Sequence, residues 1–237
     1  MNADGSSPGG TAETQDGVWI VIPAFCEEGT IGRVVQELKG RYANIIVVDD
    51  GSTDLTSREA RRAGARVIRH AVNRGQGAAL QTGIDRALDR GARWIVTFDG
   101  DGQHSAGDVA ALLAPLQAGQ AQVALGSRFL SHTSHVPFRR RWLLKAAVLF
   151  TRWTSGLRVT DTHNGLRAFE RGVAQRIQIR LDRMAHASEI LDQIGRMDVR
   201  WVEVPVHVTY TQYSRAKGQS GLGAFRILVH YLLRKNI

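Results

Sequence analysis

The sequence is short of several residue types, and each shortage excludes a class of protein. The single cysteine, Cys26, leaves no internal disulfide and no thiolate zinc site, which fits a reducing compartment. No apolar run approaches the roughly 18 residues that cross a bilayer, because charged residues such as Lys145 interrupt the richest stretches. Residues 1–16 are small and polar, unlike a signal peptide, so we expect a disordered tail and a cytoplasmic protein.

The chain carries an excess of positive charge, and its composition is otherwise that of an ordinary globular protein. Its 237 residues, 43% of them hydrophobic, suit one folded domain with a substantial core. The net charge of +9 indicates an anionic partner, either a nucleic acid, an anionic lipid surface or a phosphorylated small molecule. Because the basic residues are dispersed and no nucleic-acid module is recognisable, we expect no nucleic-acid partner.

Apolar runs of strand length alternate with helical patterns through the first half of the chain. Strands are predicted at 18–23, 45–50, 65–70, 93–99 and 121–126. This alternation predicts an α/β fold with a mainly parallel sheet and helices on both faces. Residues 161–169 are predicted to form a polar loop, and the alternating segment 202–210 a half-buried strand in an antiparallel or edge position, which makes the sheet mixed.

Acidic residues follow two of these predicted strands. Asp49 and Asp50 end one strand, and Asp99 and Asp101 lie in a glycine-rich turn after another, where Gly100 brings the backbone close to a bound anion. Ligands of such sheets bind at the carboxyl ends of the strands. Mg²⁺ or Mn²⁺ prefers oxygen donors and takes one or two carboxylates, with phosphate oxygens and water as its other ligands. The alternative is that these residues only form turns and start the next helices.

Seven segments, in this order, resemble family 2 of the inverting glycosyltransferases, which have the GT-A fold. They are VIPAFCEEGTI (21–31), VVDDGSTD (47–54), NRGQGAALQTG (73–83), FDGDGQH (98–104), GSR (126–128), DTHNGLRAF (161–169) and VEVPVHVTYTQYSRAKGQS (202–220). The resemblance spans roughly residues 18 to 220 and is strongest to the dolichyl-phosphate mannosyltransferase group, which passes a sugar to a polyprenyl phosphate. It implies a GT-A domain over 17–220, a nucleotide-sugar donor (UDP-, GDP- or dTDP-linked) and a divalent metal.

The resemblance also implies roles for individual residues. The nucleoside pocket would be lined by Pro23, Phe25, Glu27, Val48 and Asp50. Metal and diphosphate would be bound by Asp99, Asp101 and Gln103. Arg128 would contact the donor or the acceptor phosphate. Two departures from the family pattern matter: Phe25 replaces a tyrosine, and the later basic element is YSRAKGQS, which leaves open whether Arg215 or Lys217 reaches the phosphate.

The nature of the acceptor decides whether a general base is needed. Inverting transfer to a sugar hydroxyl needs a carboxylate to remove a proton, whereas a lipid phosphate is already an anion near neutral pH. Asp161 and Glu189 are the candidates to act as base or to orient the acceptor. Alternatively, Asp161 caps a turn and Glu189 is a solvated helix residue. His104 and His163 are expected to hydrogen-bond locally, because no histidine pair has metal-ligand spacing.

Two basic amphipathic segments suggest contact with a membrane surface. They are 138–153, FRRRWLLKAAVLFTRW, and the C-terminal segment 221–237, which is predicted to be a helix. Either could instead pack on the sheet with a solvated basic face. We therefore expect a peripheral protein at the inner face of the membrane, with a separate membrane protein as a possible partner.

Three alternatives remain open. The first is transfer to a soluble saccharide or to a protein hydroxyl. The second is a phosphatase of the haloacid dehalogenase type, whose similar acidic motif ends the first strand, whereas FDGDG here follows the fourth predicted strand. The third is a catalytically silent protein, which the intact Asp99, Asp101 and Gln103 disfavour.

Overall fold

A computed structural model describes residues 17–130, 156–162, 164–181 and 185–209. Within them the strands are β1 (Val18–Ala24), β2 (Asn44–Asp49), β3 (Arg66–Arg69), β4 (Trp94–Thr97), β5 (Val123–Ser127), β6 (Arg167–Glu170) and β7 (Trp201–Pro205). The helices are α1 (Ile31–Lys39), α2 (Thr56–Arg62), α3 (Gln76–Asp89), α4 (Gly107–Gln117), α5 (Arg171–Ala174) and α6 (Ala185–Arg196).

The strands form one mixed sheet in the order β3-β2-β1-β4-β6-β5-β7. Strands β3, β2, β1 and β4 pair in parallel, β6 is antiparallel to both β4 and β5, and β7 is parallel to β5. The chain order turns at β1, with β2 on one side and β4 on the other. Ligand sites of such sheets lie at this kind of switch point, beyond the carboxyl ends of the strands.

The sheet separates two apolar layers, as the side-chain alternation along its strands requires. One layer joins Ile20 and Ile22 of β1 to the apolar stripes of α1 and α4. The other joins Trp19 and Val21 of the same strand to α3 and α6. Burial on both faces fixes the sheet firmly, so the loops at its carboxyl edge start from rigid positions.

Of two predictions about the second half of the chain, one needs correction and one is confirmed. Residues 161–169 are not entirely loop, because Arg167–Glu170 form β6 between β4 and β5. Three of its four residues are buried. The strand was not predicted because the run is short and its neighbours in the sequence are polar. The segment 202–210 was predicted to be a strand in an antiparallel or edge position, and the edge alternative is confirmed: β7 (Trp201–Pro205) is the last strand of the sheet and pairs with β5 in parallel.

Several predicted segments lie outside the described residues: the tail 1–16, the basic segment 138–153 and the C-terminal helix 221–237. Among the residues that are described, no helix is both long and apolar enough to cross a membrane.

Candidate active site

The two acidic clusters lie at the carboxyl edge of the sheet, on either side of the end of β1. Ala24, the last residue of β1, pairs with Asp49 of β2, and its carbonyl accepts a hydrogen bond from Asp50 N (2.8 Å). On the other side β1 pairs with β4, after which the chain enters the loop that carries Asp99 and Asp101. The sheet therefore places both clusters at its carboxyl edge, as expected from their positions directly after predicted strands.

The loop after β4 is tied together by its own polar groups. Asp101 accepts hydrogen bonds from the Gln103 backbone N–H (3.0 Å) and from Gln103 Nε2 (2.6 Å). Asp99 accepts from Gln76 Nε2 of α3 (3.3 Å) and lies 3.3 Å from His104 Nε2. His104 thus contacts a neighbouring carboxylate, in line with its expected local role, while its Nδ1 has no hydrogen-bond partner among the described residues.

The electrostatics of Asp99 and Asp101 differ sharply. Burial raises the pKa of Asp99, but the hydrogen bond from His104 and the charges of His104, His186 and Arg167 outweigh it, so the pKa falls below its ordinary value. Burial and repulsion by Asp99 raise the pKa of Asp101 to about 6. Two carboxylates that repel each other in a partly buried loop hold excess negative charge, which a cation would neutralise.

Arg167 and His186 are functional candidates that sequence reasoning missed. Burial lowers the pKa of Arg167 to about 10, while Asp99 and Asp161 act in the opposite direction, so this buried guanidinium remains charged beside both. Strand β6 carries Arg167 between β4 and β5. Because this strand was not predicted from the sequence, the position of Arg167 was not predicted either. His186 lies in the first turn of α6, three residues before Glu189, and belongs to none of the sequence motifs described above.

Two glycines permit the close packing around Asp99. A Cβ on Gly165 would lie 2.3 Å from Asp99 Oδ2, so only glycine fits between this carboxylate and β6. A Cβ on Gly77 of α3 would lie 2.3 Å from the Leu181 carbonyl oxygen and 3.1 Å from His186 Cβ. The lack of a side chain at these positions lets α6 and β6 approach the acidic loop.

The other acidic cluster is engaged by protein donors. Asp50 accepts from the backbone N–H groups of Arg74 (2.9 Å) and Gly75 (2.7 Å), and pairs with His70 Nδ1 (2.7 Å). Asp49 accepts from Ser52 N (2.8 Å) and from the Ser57 hydroxyl. These carboxylates anchor the loops after β2 and β3.

The residues predicted to line the nucleoside pocket occupy different environments. Phe25 leaves 45% of its surface exposed at the crevice side of β1, whereas Pro23 and Val48 are buried in the sheet. Glu27 accepts a hydrogen bond from the Thr30 hydroxyl (3.0 Å), and Thr30 also donates to the Gly100 carbonyl (2.9 Å). Among these five residues, Phe25 has an exposed ring that could pack on a base. The Val48 side chain is buried, so a contact between Val48 and a ligand would have to come from its backbone.

Arg128 and Asp161 form a buried ion pair beyond β5. The Arg128 Nε and backbone N–H both donate to Asp161 Oδ2, at 2.6 and 3.2 Å. Asp161 is in turn held by Glu203 of β7, which accepts hydrogen bonds from the Thr160 and Asp161 N–H groups. The Asp161 carboxylate is therefore already engaged by groups of the protein itself.

The Glu189 carboxylate binds backbone N–H groups of a neighbouring segment of the chain. Its carboxylate accepts hydrogen bonds from the backbone N–H groups of Arg180 (3.0 Å) and Leu181 (2.9 Å). It is therefore a half-buried residue of α6 that contacts the 180–181 segment, rather than a fully solvated helix residue. The remaining predicted site residues, Arg215 and Lys217, and also His163, lie outside the described residues.

The arrangement as a whole has a counterpart among solved structures. Glucosyl-3-phosphoglycerate synthase from Mycobacterium tuberculosis, solved with Mn²⁺, uridine diphosphate and glucosyl-3-phosphoglycerate, superposes with a TM-score of 0.68 over 95% of this chain and 85% of that one, at 21% identity. The mixed sheet with an acidic loop at its switch point is thus the GT-A fold of the glycosyltransferases.

Sequence comparison narrows this class to a family. Residues 19–177 match the profile of Glycosyl transferase family 2, and the chain belongs to that family. It is a glycosyltransferase, so the haloacid dehalogenase alternative is wrong. The chain is 32% identical over 240 residues to the UDP-N-acetylglucosamine–dolichyl-phosphate N-acetylglucosaminyltransferase of Methanococcus voltae, covering 92% of this chain and 96% of the relative. It is 29% identical over 217 residues to the polyprenol monophosphomannose synthase of Mycolicibacterium smegmatis, covering 84% and 79%.

Proposed function

We propose that the protein transfers a sugar, with inversion and with the help of a divalent metal, from a nucleotide sugar to a polyprenyl phosphate. The observation that carries this proposal is the repelling carboxylate pair Asp99–Asp101 at the switch point of a GT-A sheet. Two relatives that are similar over most of the chain also support the proposal. One is named for transfer to dolichyl phosphate and the other for polyprenol monophosphomannose synthesis.

The donor set of the acidic loop fits a hard divalent cation shared with a substrate. Within residues 17–130, 156–162, 164–181 and 185–209, no group of three or more His, Cys, Asp or Glu side chains could enclose a metal ion. Two carboxylates without a closed cage are what Mg²⁺ or Mn²⁺ uses when phosphate oxygens complete its shell. Asp99 and Asp101 would hold the ion, with Gln103 as a further candidate, and the ion would stabilise negative charge on the departing diphosphate.

The protein's own residues prepare this loop for an anionic donor. Gln76 and His104 orient Asp99, and Gln103 orients Asp101, so both carboxylates are fixed before a ligand binds. Arg167 and His186 add positive charge behind Asp99, which keeps that carboxyl ionised. Across the crevice the exposed ring of Phe25 offers an apolar surface for a nucleobase.

The contacts of the candidate bases favour a phosphate acceptor. Asp161 is paired with Arg128 and Glu189 with two backbone N–H groups, so both carboxylates are already engaged by the protein and neither is poised to take a proton from a hydroxyl acceptor. A phosphate needs positioning more than deprotonation, and Arg128, together with Arg215 or Lys217, would supply the positive charge. The basic segments 138–153 and 221–237 would attract the protein to the anionic membrane surface where such a lipid lies.

A transfer assay tests the proposal directly. Purified protein is incubated with Mn²⁺, a short-chain polyprenyl phosphate in anionic vesicles, and a panel of UDP-, GDP- and dTDP-sugars, and the lipid product is separated by chromatography. We expect one donor to give glycosyl polyprenyl phosphate, with loss of product when EDTA removes the metal. The anomeric configuration of the product, compared with that of the donor by NMR, reports inversion.

Controls separate the lipid acceptor from the alternatives. Removal of residues 222–237, or reversal of Arg139, Arg140 and Arg141 to Glu, is expected to reduce vesicle binding and lipid glycosylation while sparing donor binding. Efficient transfer to a soluble saccharide or a protein hydroxyl, with none to the lipid phosphate, would reject the proposed acceptor.

A further inference from the structure

A glutamate outside the acidic loop holds the Arg128–Asp161 pair together from the edge of the sheet. Glu203 lies on β7, opposite Leu125 of β5, and its side chain is half-buried. Its Oε1 accepts three hydrogen bonds: from Thr160 N (2.7 Å), from the Thr160 hydroxyl (3.0 Å) and from Asp161 N (3.2 Å). One carboxylate oxygen therefore fixes the turn that presents Asp161.

The same Glu203 oxygen determines which group donates and which accepts in the hydrogen bond between the Thr160 and Ser127 hydroxyls. Since Thr160 donates its hydroxyl proton to Glu203, the contact of 2.6 Å between Thr160 and Ser127 requires Ser127 to donate to Thr160. The Ser127 oxygen then accepts from Phe129 N (3.3 Å). Ser127 and Phe129 flank Arg128, so Glu203 is connected to the arginine on both sides.

Arg128 is consequently attached to the 160–161 turn at two points. The first is the pair of hydrogen bonds that its Nε and backbone N–H donate to the single oxygen Asp161 Oδ2, and the second is the Ser127–Thr160 hydrogen bond next to it. Both points rest on Glu203, because it holds Thr160 and Asp161. Burial raises the pKa of the Glu203 carboxyl above its ordinary value, although the hydrogen bonds from Thr160 and Asp161 act in the opposite direction.

We infer that Glu203 is a positioning residue for the transfer reaction, which orients Arg128 toward the phosphate of the acceptor through Thr160 and Asp161. The inference rests on the proposed function in one respect, the contact of Arg128 with an acceptor anion. Positioning of this kind controls rate strongly, because displacement of a binding group by about 1 Å can cost about 100-fold.

The test compares substitutions that keep or remove the acceptor atom. Glu203→Gln retains a carbonyl oxygen at Oε1, and Oε2 makes no hydrogen bond to any described residue, so an amide nitrogen there displaces no donor. Glu203→Met keeps the length of the side chain and removes the acceptor. Glu170→Met is the matched control, because Glu170 is a half-buried glutamate at the end of β6. It pairs with Trp94 at the start of β4 and so lies at the amino-terminal ends of the parallel strands, whereas Arg128 follows the carboxyl end of β5.

Kinetics with the acceptor that the wild type uses give the main readout. We expect Glu203→Met to lower kcat/KM for the acceptor by about 10-fold or more while the Kd of the nucleotide sugar with Mn²⁺ stays within about twofold, and Glu203→Gln and Glu170→Met to stay near wild type. In a double-mutant cycle, Arg128→Lys with Glu203→Met should be no slower than Arg128→Lys alone, since Glu203 acts through Arg128. Hydrogen exchange should show faster exchange of the Thr160 and Asp161 amides in Glu203→Met only.

Several results would overturn the inference. Acceptor kinetics of Glu203→Met equal to those of Glu170→Met, or multiplicative effects in the cycle, would show that Glu203 does not act through Arg128. If Glu203→Met does not fold, Thr160→Val removes the linking hydroxyl and is expected to give the same loss and the same non-additivity. A wild type that ignores polyprenyl phosphate but uses another acceptor rejects the proposed function instead, and the cycle is then measured with that acceptor.

Discussion

Two acidic clusters at the same edge of the sheet have opposite characters. Around Asp49 and Asp50 the protein supplies backbone, hydroxyl and imidazole donors, so the carboxylates act as anchors for the loops after β2 and β3. Around Asp99 and Asp101 the two carboxylates repel each other, and the pKa of Asp101 rises to about 6. Identical side chains are thus held by protein donors in one loop, whereas in the other they form the repelling pair that we propose binds a cation.

The largest effect is expected from Asp99→Asn and Asp101→Asn. Each removes one carboxylate from the proposed metal, whose stabilisation of the leaving diphosphate contributes several kcal/mol, so transfer should fall by about 1,000-fold or more. Neither side chain belongs to the apolar layers, so circular dichroism should remain that of the wild type. Turnover near the wild-type rate in either variant would remove the catalytic role assigned to this loop.

Asp50→Ala should damage the anchoring cluster instead. It leaves the Arg74 and Gly75 N–H groups and His70 without their acceptor, which costs about 2 to 4 kcal/mol in the free energy of unfolding. Donor affinity should weaken more than the rate of transfer at saturating donor, because the change lies away from the bond that breaks. Chemical denaturation and calorimetric titration with the donor measure both effects, and an unchanged donor Kd would argue against a nucleoside role for Asp50.

Metal binding should depend on pH because of Asp101. With its pKa raised to about 6, a proton occupies the carboxyl below that pH and must leave before a cation binds. The affinity for Mn²⁺ should therefore fall by about tenfold for each pH unit below 6 and level off above 7. Titration calorimetry between pH 5 and pH 8 checks this dependence, and Asp50→Asn, which retains an acceptor oxygen, should show the same profile as the wild type.

Asp101→Asn should also stabilise the metal-free protein modestly. The folded pKa is raised from 3.8 to about 6, so ionisation opposes folding, and the stability present below pH 3.8 is lost as the pH rises through 6. Removal of the charge should recover about 1 kcal/mol at pH 8. A rise in Tm at pH 8 that disappears at pH 4 would match this account, whereas a rise of the same size at both would point to another cause.

Glu189→Gln should have the smallest effect. The glutamine oxygen can still accept from the Arg180 or Leu181 N–H group, so transfer should stay within about threefold of the wild type. A loss approaching 1,000-fold with an unchanged Tm would instead identify Glu189 as the general base of a hydroxyl-directed reaction.

The sequence predicted the first half of the fold better than the second. Strands β1, β2 and β4 are largely apolar runs bounded by turns, so their type and position in the chain follow from the pattern alone. Strand β6 was not predicted, because its four residues lie within a polar motif and are too few to show a periodicity. The direction of β7 depends on its pairing with β5, which the alternation of apolar and polar residues does not encode.

The candidate site was predicted where its residues share one motif and missed where they come from different elements. Asp99, Asp101 and Gln103 are close in sequence, so their association was visible. Gln76, Arg167 and His186 reach Asp99 from α3, β6 and α6, and only the packing permitted by Gly77 and Gly165 brings them there. The roles of the predicted nucleoside-pocket residues stay predictions, as do those of Arg215 and Lys217.

The most direct test of the central claim is a titration of Mn²⁺ into the protein with saturating nucleoside diphosphate at pH 7.5, followed by electron paramagnetic resonance, for wild type, Asp101→Asn and Asp50→Asn. We expect one tightly bound ion in the wild type and in Asp50→Asn, and at least about tenfold weaker binding in Asp101→Asn, because this variant alone changes the cation site. Equal Mn²⁺ affinity in wild type and Asp101→Asn would contradict the assignment of the Asp99–Asp101 loop as the metal site.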